Sequence, residues 1–154
     1  MKLNNIDIRI LRELQKNADQ TNLALAEKVG LSAPACLKRV QRLKKSGIIS
    51  RIIAVVSTEP LKRRLNMVVE IKMKSDHQAL SREFINIVAA VPEVKQCYQV
   101  TGDVDFVLIV NIADIFEYEA FCDNVLHKHS NMHKFTTLVS MKCTKFDTSQ
   151  HDFT

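Results

Sequence analysis

The stretch LALAEKVGLSAPACLKRVQRLKKSGII, Leu23–Ile49, predicts two short helices joined by a tight turn. Gly30 ends the first helix, because glycine tolerates the left-handed backbone found at helix C-termini. Ser32 is suited to cap the second helix, and Pro34 falls in its first turn, where a missing N–H costs nothing. Gly47 ends the second helix. This arrangement is typical of a helix-turn-helix, in which the second helix lies in the DNA major groove.

The second helix has two faces of different character. Apolar residues at spacings of three and four predict the face that packs inward: Cys36, Leu37, Val40 and Leu43. Small and basic residues predict the face that meets DNA: Ser32, Ala33, Ala35, Lys38, Arg39 and Arg42. An ordinary helical hairpin with a solvated basic face is the alternative on this spacing alone, because many helical pairs share it.

The charge distribution favours DNA binding over the plain hairpin. The chain of 154 residues has a formal net charge of +5. Residues 1–65 contain 14 Lys and Arg against 5 Asp and Glu, which gives +9, whereas residues 66–154 contain 8 against 12, which gives −4. A basic first part joined to an acidic remainder indicates a polyanion-binding module attached to one that avoids polyanions.

Composition and cysteine usage narrow the class of protein. Hydrophobic residues make up 46% of the chain and charged residues 25%, as in soluble globular proteins. No apolar run approaches the roughly 18 residues of a membrane span, and the segment MKLNNIDIRI lacks the pattern of a signal peptide. The four cysteines are scattered without a CxxC pair, so reduced thiols are expected. We therefore expect a cytoplasmic protein without a membrane partner, metal or cofactor.

The pattern along the chain predicts an α+β protein. A three-helix domain containing the helix-turn-helix occupies residues 1–50, and a β-branched run predicts a hinge strand and linker over 51–66. Residues 67–154 predict a ferredoxin-like βαββαβ domain, with two helices on one face of an antiparallel sheet. The other sheet face needs cover, so we expect a homodimer. The hinge strand is also suited to pair with a second subunit.

Periodicity also sets the expected elements of the second domain. The predicted strands are 67–74, 94–100, 105–112 and 135–143, and the predicted helices are 80–91 and 115–127. Between the second and third strands, Thr101-Gly102-Asp103 predicts a short hairpin turn, because glycine followed by a polar residue fits a two-residue turn.

Six short motifs follow one another along the chain at characteristic distances. They are Asp7-x-x-Ile10-Leu11, Leu25-Ala26-x-x-Val29-Gly30-Leu31-Ser32, Arg39-Val40-x-x-Leu43, Gly47-Ile48-Ile49, Pro92-Glu93-Val94 and Thr101-Gly102-x-x-Asp105. In this order they resemble the Lrp/AsnC, or feast/famine, transcription factors, from about Ile6 to Phe146. The chain departs from the family pattern at Asn17-Ala18-Asp19, where an Asp-Gly-Arg-like turn is usual, and at Leu65-Asn66, where Leu-Gly is usual.

The resemblance implies a sequence-specific transcriptional regulator. It implies an N-terminal winged or plain helix-turn-helix, a hinge strand and a C-terminal ligand-binding domain of ferredoxin-like fold. It also implies binding to double-stranded DNA, homodimers that assemble further, often to octamers, and an amino acid effector bound between dimers near the Thr-Gly-x-x-Asp turn.

The predicted effector site combines backbone donors with carboxylates. It comprises Thr101, Gly102, Asp103, Val104 and Asp105, with Thr136 and Thr137 of the last strand as further contacts. The exposed N–H groups of the turn suit an α-carboxylate, and the aspartates suit an α-ammonium. A hairpin turn with two solvated aspartates is the alternative when the family resemblance is set aside.

Other chemistries have weaker sequence support. His127, His129 and His133 with Cys122 span a helix end and a loop, without the convergent spacing of a metal site. No catalytic triad pattern, P-loop or Rossmann fingerprint is visible, so we expect no enzyme activity. Siroheme decarboxylases resemble this family in architecture, and a metabolite-binding assembly module without DNA binding is a third class. The basic recognition helix counts against both.

Overall fold

The computed structural model describes residues 2–56 and 65–150. The chain divides into two compact units, one formed by Met1–Val55 with Lys145–Thr154 and the other by Val56–Thr144. Residues 145–150 thus group with the first unit, whereas the sequence pattern places all of 67–154 in the second domain. The Gln15 side chain donates a hydrogen bond to the Gln150 carbonyl at 3.0 Å, which accounts for part of this grouping.

The first unit contains the three predicted helices. They are α1 (Asn5–Lys16), α2 (Asn22–Val29) and α3 (Ala33–Lys45). Asn4 caps α1 through a reciprocal capping box with residue 7, and Thr21 caps α2, so side chains fix both N-termini. The core of this unit joins residues from all three helices: Ile10, Leu11, Leu25, Ala26, Val29, Cys36 and Leu43.

The predicted hinge strand is not formed over residues 51–56, the part of it before Leu65 that the structure describes. Residues 51–56 have no strand hydrogen bonding, and Ile52, Ile53, Val55 and Val56 are exposed. A strand is stable only when a neighbour satisfies its backbone groups, and the described residues of a single copy provide none at this segment. Residues 57–64, which complete the predicted connector, lie outside the described part of the chain.

The second unit has the predicted strand and helix order. Its elements are β1 (Leu65–Met73), α4 (Gln78–Ala89), β2 (Val94–Gln99), β3 (Phe106–Ile112), α5 (Ile115–Phe121), a π-helical turn (Cys122–Leu126) and β4 (Met132–Val139). The strands form one sheet in the order β2-β3-β1-β4, and every neighbouring pair is antiparallel. This topology confirms the ferredoxin-like fold.

Alternation along the two central strands separates a buried sheet face from an open one. In β1, Met67, Val69 and Ile71 are buried, while the residues between them are only half-buried. β3 shows the same alternation. The buried side chains pack with Phe84 of α4 and Phe121 of α5, so the core lies between the sheet and its helices.

Several element boundaries differ from the sequence-based expectation, and β4 ends at Val139 rather than at residue 143. β4 begins at Met132 rather than Phe135, because an irregularity in β1 beside Met73 pairs that residue with Met132. The predicted helix over 115–127 changes to π-helical geometry at Cys122. The connection between β2 and β3 spans residues 100–105, not two residues, and the backbone N–H of Val100 bonds to the Asp105 carbonyl at 3.0 Å.

None of the helices in the described residues is long and apolar enough to cross a membrane.

Candidate DNA-binding face and effector region

The outward face of α3 differs from the predicted one. Five of the exposed positions recur at helical spacing, with Lys38 near the middle: Pro34, Leu37, Lys38, Gln41 and Lys45. Arg42 and Lys44 are also exposed, at the sides of this row. Leu37 was expected to pack inward, but 46% of its surface is exposed. The inward face is instead formed by Cys36 and Leu43, which are fully buried, with Val40 partly buried beside them.

The predicted DNA-contacting residues do not share one environment. Ser32 and Lys38 are exposed, whereas Ala33 and Ala35 are half-buried. Arg39 and Arg42 are turned toward α1 and form ion pairs there. Only part of the predicted set is therefore free to meet a duplex.

The turn before α3 is held by backbone geometry and one side chain. Gly30 has a φ of 71°, and the N–H of Leu31 bonds to the Ala26 carbonyl at 2.9 Å. The Asn22 side chain donates to the Ala33 carbonyl at 2.7 Å. The Ser32 hydroxyl forms no cap hydrogen bond with the described residues, so the front of α3 presents a polar group to solvent.

Asp7 binds the two arginines of α3. Its carboxylate accepts from Arg39 Nη1 at 3.0 Å and from Arg42 Nη2 at 2.8 and 2.7 Å. It also accepts from the backbone N–H of Asn4 at 3.2 Å. The Asp7 side chain is only 1% exposed, compared with 27% for Arg39 and 49% for Arg42.

Charge and burial act in opposite directions on Asp7. Burial raises the pKa of this carboxyl, but the Asn4 N–H and the guanidinium groups of Arg39 and Arg42 together lower it more, so its pKa lies below the usual 3.8. The ionised carboxylate is thus the form that the folded first unit stabilises.

The predicted effector turn is exposed at its tip and anchored at its end. Thr101, Gly102 and Asp103 are exposed, and Gly102 has a φ of 118°. Val104 and Asp105 are half-buried. The Asp105 carboxylate accepts from the backbone N–H of Met73 at 2.7 Å and lies 3.6 Å from Lys72 Nζ. Asp103 is therefore the accessible carboxylate of the pair.

The two predicted threonines lie on opposite faces of the sheet. Thr137 pairs in register with the buried Val69 and therefore faces the helices, where its hydroxyl hydrogen bonds with the Tyr118 hydroxyl. Thr136 pairs with Glu70 and lies on the open face, where it is exposed. The structure does not bring them together as one site. Burial raises the pKa of Tyr118 well above its usual value, so the phenol stays neutral.

Two shallow grooves open on the helix side of the second unit. One of about 420 Å³ runs between α4 and β2 and is lined by residues that include Ile85, Val94 and Cys97. The other, of about 310 Å³, lies between the end of α4 and α5 and includes Pro92 and Phe121. Neither lining includes a predicted effector residue.

The histidines considered for a metal site have aromatic neighbours. The His127 ring contacts Phe135 at a centroid distance of 5.3 Å, and the buried His129 ring contacts Phe84 at 5.2 Å. Within residues 2–56 and 65–150, no group of three or more His, Cys, Asp or Glu side chains is arranged to hold a metal.

Sequence reasoning missed several residues of both regions. Gln41 and Lys45 lie on the outward face of α3. On a helical wheel they fall opposite the fully buried Cys36 and Leu43, so a sequence-based choice of these two residues as the inward face would have placed them outward. The sequence signal for the ion pairs of Asp7 is the excess of basic over acidic residues in residues 1–65, 14 against 5. Nothing local in the sequence indicates that Tyr118 bonds to Thr137, because they lie on separate elements.

Family models match both units of the chain. Residues 3–50 match a winged helix-turn-helix DNA-binding model, and residues 66–150 match the Lrp/AsnC ligand-binding domain. The chain belongs to the Lrp/AsnC family. It is a transcriptional regulator with a helix-turn-helix domain followed by a ligand-binding domain.

Relatives of this regulator share its length and architecture. The leucine-responsive regulatory protein of Haemophilus influenzae is 36% identical over 143 residues, covering 93% of this chain and 86% of that protein. The structure of an AsnC family transcriptional regulator from Agrobacterium tumefaciens has a TM-score of 0.87 at 30% identity and 97% coverage of both chains. A transcriptional regulator from Neisseria meningitidis, solved in complex with L-Met, has a TM-score of 0.87 at 29% identity and 97% coverage of both chains.

Proposed function

We propose that the regulator binds an amino acid at the turn 101–105 and that this ligand controls its assembly or its affinity for DNA. The observation that carries the proposal is the exposed tip of the turn, where Gly102 and Asp103 combine open backbone donors with an accessible carboxylate. The Neisseria relative solved with L-Met supports an amino acid as the ligand class. Thr101, Val104, Asp105 and Thr136 complete the proposed region, whereas Thr137 bonds to Tyr118 on the other sheet face and is not proposed as a ligand contact.

The two aspartates of the turn have different proposed roles. Asp105 holds the turn against β1 through the Met73 N–H, so its carboxylate is already used within the chain. Asp103 is exposed and suits an α-ammonium group, while the N–H groups at the tip suit an α-carboxylate. A neighbouring copy is expected to supply the contacts to the ligand side chain, because the turn is open to solvent in a single chain.

A thermal-shift screen of the common amino acids tests this site. Wild type should be stabilised by one chemical class of amino acid, by about 2.7 kcal/mol at a concentration of 100 times Kd. Asp103→Ala should lose this response while keeping the fold. An equal thermal shift in Asp103→Ala would mean that the ligand binds in another part of the domain. If no amino acid stabilised wild type, the proposal of an amino acid effector would be wrong.

We propose that duplex DNA contacts the front and the outward face of α3. The contacts that we propose are Ser32, Ala33, Ala35 and Lys38, together with the exposed Gln41 and Lys45. Arg39 and Arg42 belong to the face predicted from sequence, but they are paired with Asp7 and are not proposed as base contacts. Exposure at helical spacing, with a cation at Lys38 and at Lys45, supports this assignment.

Mobility-shift titrations at one fixed salt concentration test the DNA face. Lys38→Ala or Gln41→Ala should cost about 1–3 kcal/mol of binding free energy if the side chain contacts a base. Lys16→Ala on α1 removes the same charge as Lys38→Ala from the same unit and serves as the control. Equal losses for Lys16→Ala and Lys38→Ala would contradict a specific role for α3.

We propose that the open sheet face forms a homodimer, and that dimers assemble further, up to an octamer. Apolar side chains cluster on this face around Glu70, although no helix of the described chain covers it: Val68, Tyr98, Val107, Ile109 and Leu138. Ile109→Glu should shift the mass measured by light scattering toward the monomer. Asn86→Glu, on the exposed side of α4, introduces the same charge and should leave the mass unchanged.

The alternative of a siroheme-decarboxylase-like enzyme has less support. The curated relatives are regulators, and the basic outward side of α3 has no role in that reaction. We propose that the protein is not an enzyme, and that it acts in the cytoplasm, as a regulator that must reach DNA. A metabolite-binding module without DNA binding would retain the thermal response but fail to retard any duplex.

A further inference from the structure

The two arginines of α3 are bound by one buried carboxylate. Asp7 contributes a single negative charge, and Arg39 and Arg42 contribute two positive charges, so the net charge of the cluster is +1. The Arg42 Nη2 atom contacts both carboxylate oxygens, and the Arg39 Nη1 atom contacts one. The Asn4 side chain adds a further acceptor for Arg39 at 3.4 Å.

This arrangement restricts where the two guanidinium groups can reach. An unpaired arginine on a DNA-binding helix is free to extend into solvent, and when it neutralises a phosphate it adds affinity without regard to sequence. Asp7 is held by the capping box of α1, because its backbone N–H bonds to the Asn4 side chain at 2.9 Å. The carboxylate is therefore a fixed anchor, and a guanidinium bound to it is directed to α1 rather than to the outward side of α3 marked by Lys38.

We propose that Asp7 is a positioning residue that determines DNA specificity by holding Arg39 and Arg42 away from the phosphate backbone. The outward residues of α3 then discriminate between DNA sequences, and the affinity for DNA of unrelated sequence stays low. The proposal rests on the proposed binding of duplex DNA by α3. It differs from a purely structural ion pair, because it assigns Asp7 an effect on salt dependence and on selectivity in a folded protein.

Asp7→Asn is the variant that separates these roles. The amide keeps the size of the side chain and an acceptor for the cap, but it loses the charge that binds the guanidinium groups. Asp19→Asn is the matched control, since Asp19 is exposed in the same unit and the change in net charge is identical. Both variants are first checked for native circular dichroism at the assay temperature.

Binding is measured from about 50 to 200 mM salt on an unrelated duplex and on a duplex selected from a random library by wild type. If Arg39 and Arg42 are released, each adds a phosphate contact, and the slope of log K against log salt should steepen by about 0.9 per arginine. Affinity for the unrelated duplex should rise, and the ratio of selected to unrelated affinity should fall at least several-fold. Asp19→Asn should leave the salt slope and the affinity ratio unchanged, and should raise affinity only slightly.

Several results would overturn the proposal. If a folded Asp7→Asn protein has the same salt slope and the same selectivity as Asp19→Asn, the ion pairs have only a structural role. A slope that becomes shallower would mean that Asp7 presents the arginines to DNA. Wild type that retards no duplex would instead contradict the proposed function, so the two failures are distinguishable.

A second variant keeps the test decisive if Asp7→Asn does not fold. Arg42→Gln, in an otherwise wild-type chain, should leave the salt slope unchanged, because Arg42 is not expected to meet phosphate. A slope shallower by about 0.9 would show a phosphate contact in wild type and overturn the proposal. In a folded Asp7→Asn protein, adding Arg42→Gln should remove about half of the gain in slope.

Discussion

The carboxylate of Asp105 accepts a hydrogen bond from the backbone N–H of Met73 at 2.7 Å. Met73 lies at the irregularity where β1 changes its register with β4, so its N–H needs an acceptor from outside the regular ladder. Asp105 therefore holds the end of β1 to the β2–β3 connection. Loss of ligand response in an Asp105 variant would not by itself identify a ligand contact.

We expect Asp105→Ala to destabilise the second unit by about 1–3 kcal/mol, because it leaves the Met73 N–H without its charged acceptor. Urea unfolding in the absence of any amino acid measures this change. Asp103→Ala, at the exposed tip of the same turn, should stay within about 0.5 kcal/mol of wild type. Equal stability of the two variants would mean that Asp105 does not support the turn.

Thr137→Val should destabilise the protein by about 1–3 kcal/mol, because the buried Tyr118 hydroxyl loses its bond to Thr137 and keeps only the weaker thiol of Cys122. Tyr118→Phe in the same chain should recover part of the loss, since the double variant has no unpaired hydroxyl. A double-mutant cycle by urea unfolding measures the coupling. Additive effects would contradict a direct contribution from the pair.

The first unit should lose stability in acid through Asp7. Its pKa in the folded state lies below the usual 3.8, so ionised Asp7 contributes stability that is present above pH 3.8 and is lost as the pH falls through the lowered value. Unfolding followed from about pH 6 down to pH 2 should show this loss in wild type and a smaller one in Asp7→Asn. Identical profiles would mean that another carboxylate dominates acid unfolding.

Gly30→Ala should cost about 1–2 kcal/mol of stability, since the residue has a left-handed φ of 71°. A Cβ at this position would meet no atom within 4 Å, so the cost is backbone strain and not a clash. Gly30→Asn should cost less, because asparagine tolerates this conformation. Equal costs for the two variants would point to a steric cause. Thermal unfolding of the three proteins decides between them.

Much of the fold follows from local signals in the sequence. Asn4 and Thr21 cap their helices, Gly30 and Gly47 have positive φ, and the alternation in β1 and β3 separates the two sheet faces. Each of these features depends on the intrinsic preference of one residue or on a short periodic pattern. The order of elements then leaves few topologies, and the ferredoxin-like arrangement is among them.

The sites depended on contacts between residues far apart in the chain. Sequence determined that α3 is basic and carries Arg39 and Arg42, but only the tertiary structure decided that both turn to Asp7 on another helix. Sequence likewise placed Thr136 and Thr137 in a strand, yet the register with β1 decided which of them reaches Tyr118. Charge and periodicity describe an element by itself. The partner of a charged or polar side chain is set by how the elements pack, because the pairing is stabilised by burial and geometry that no single segment contains.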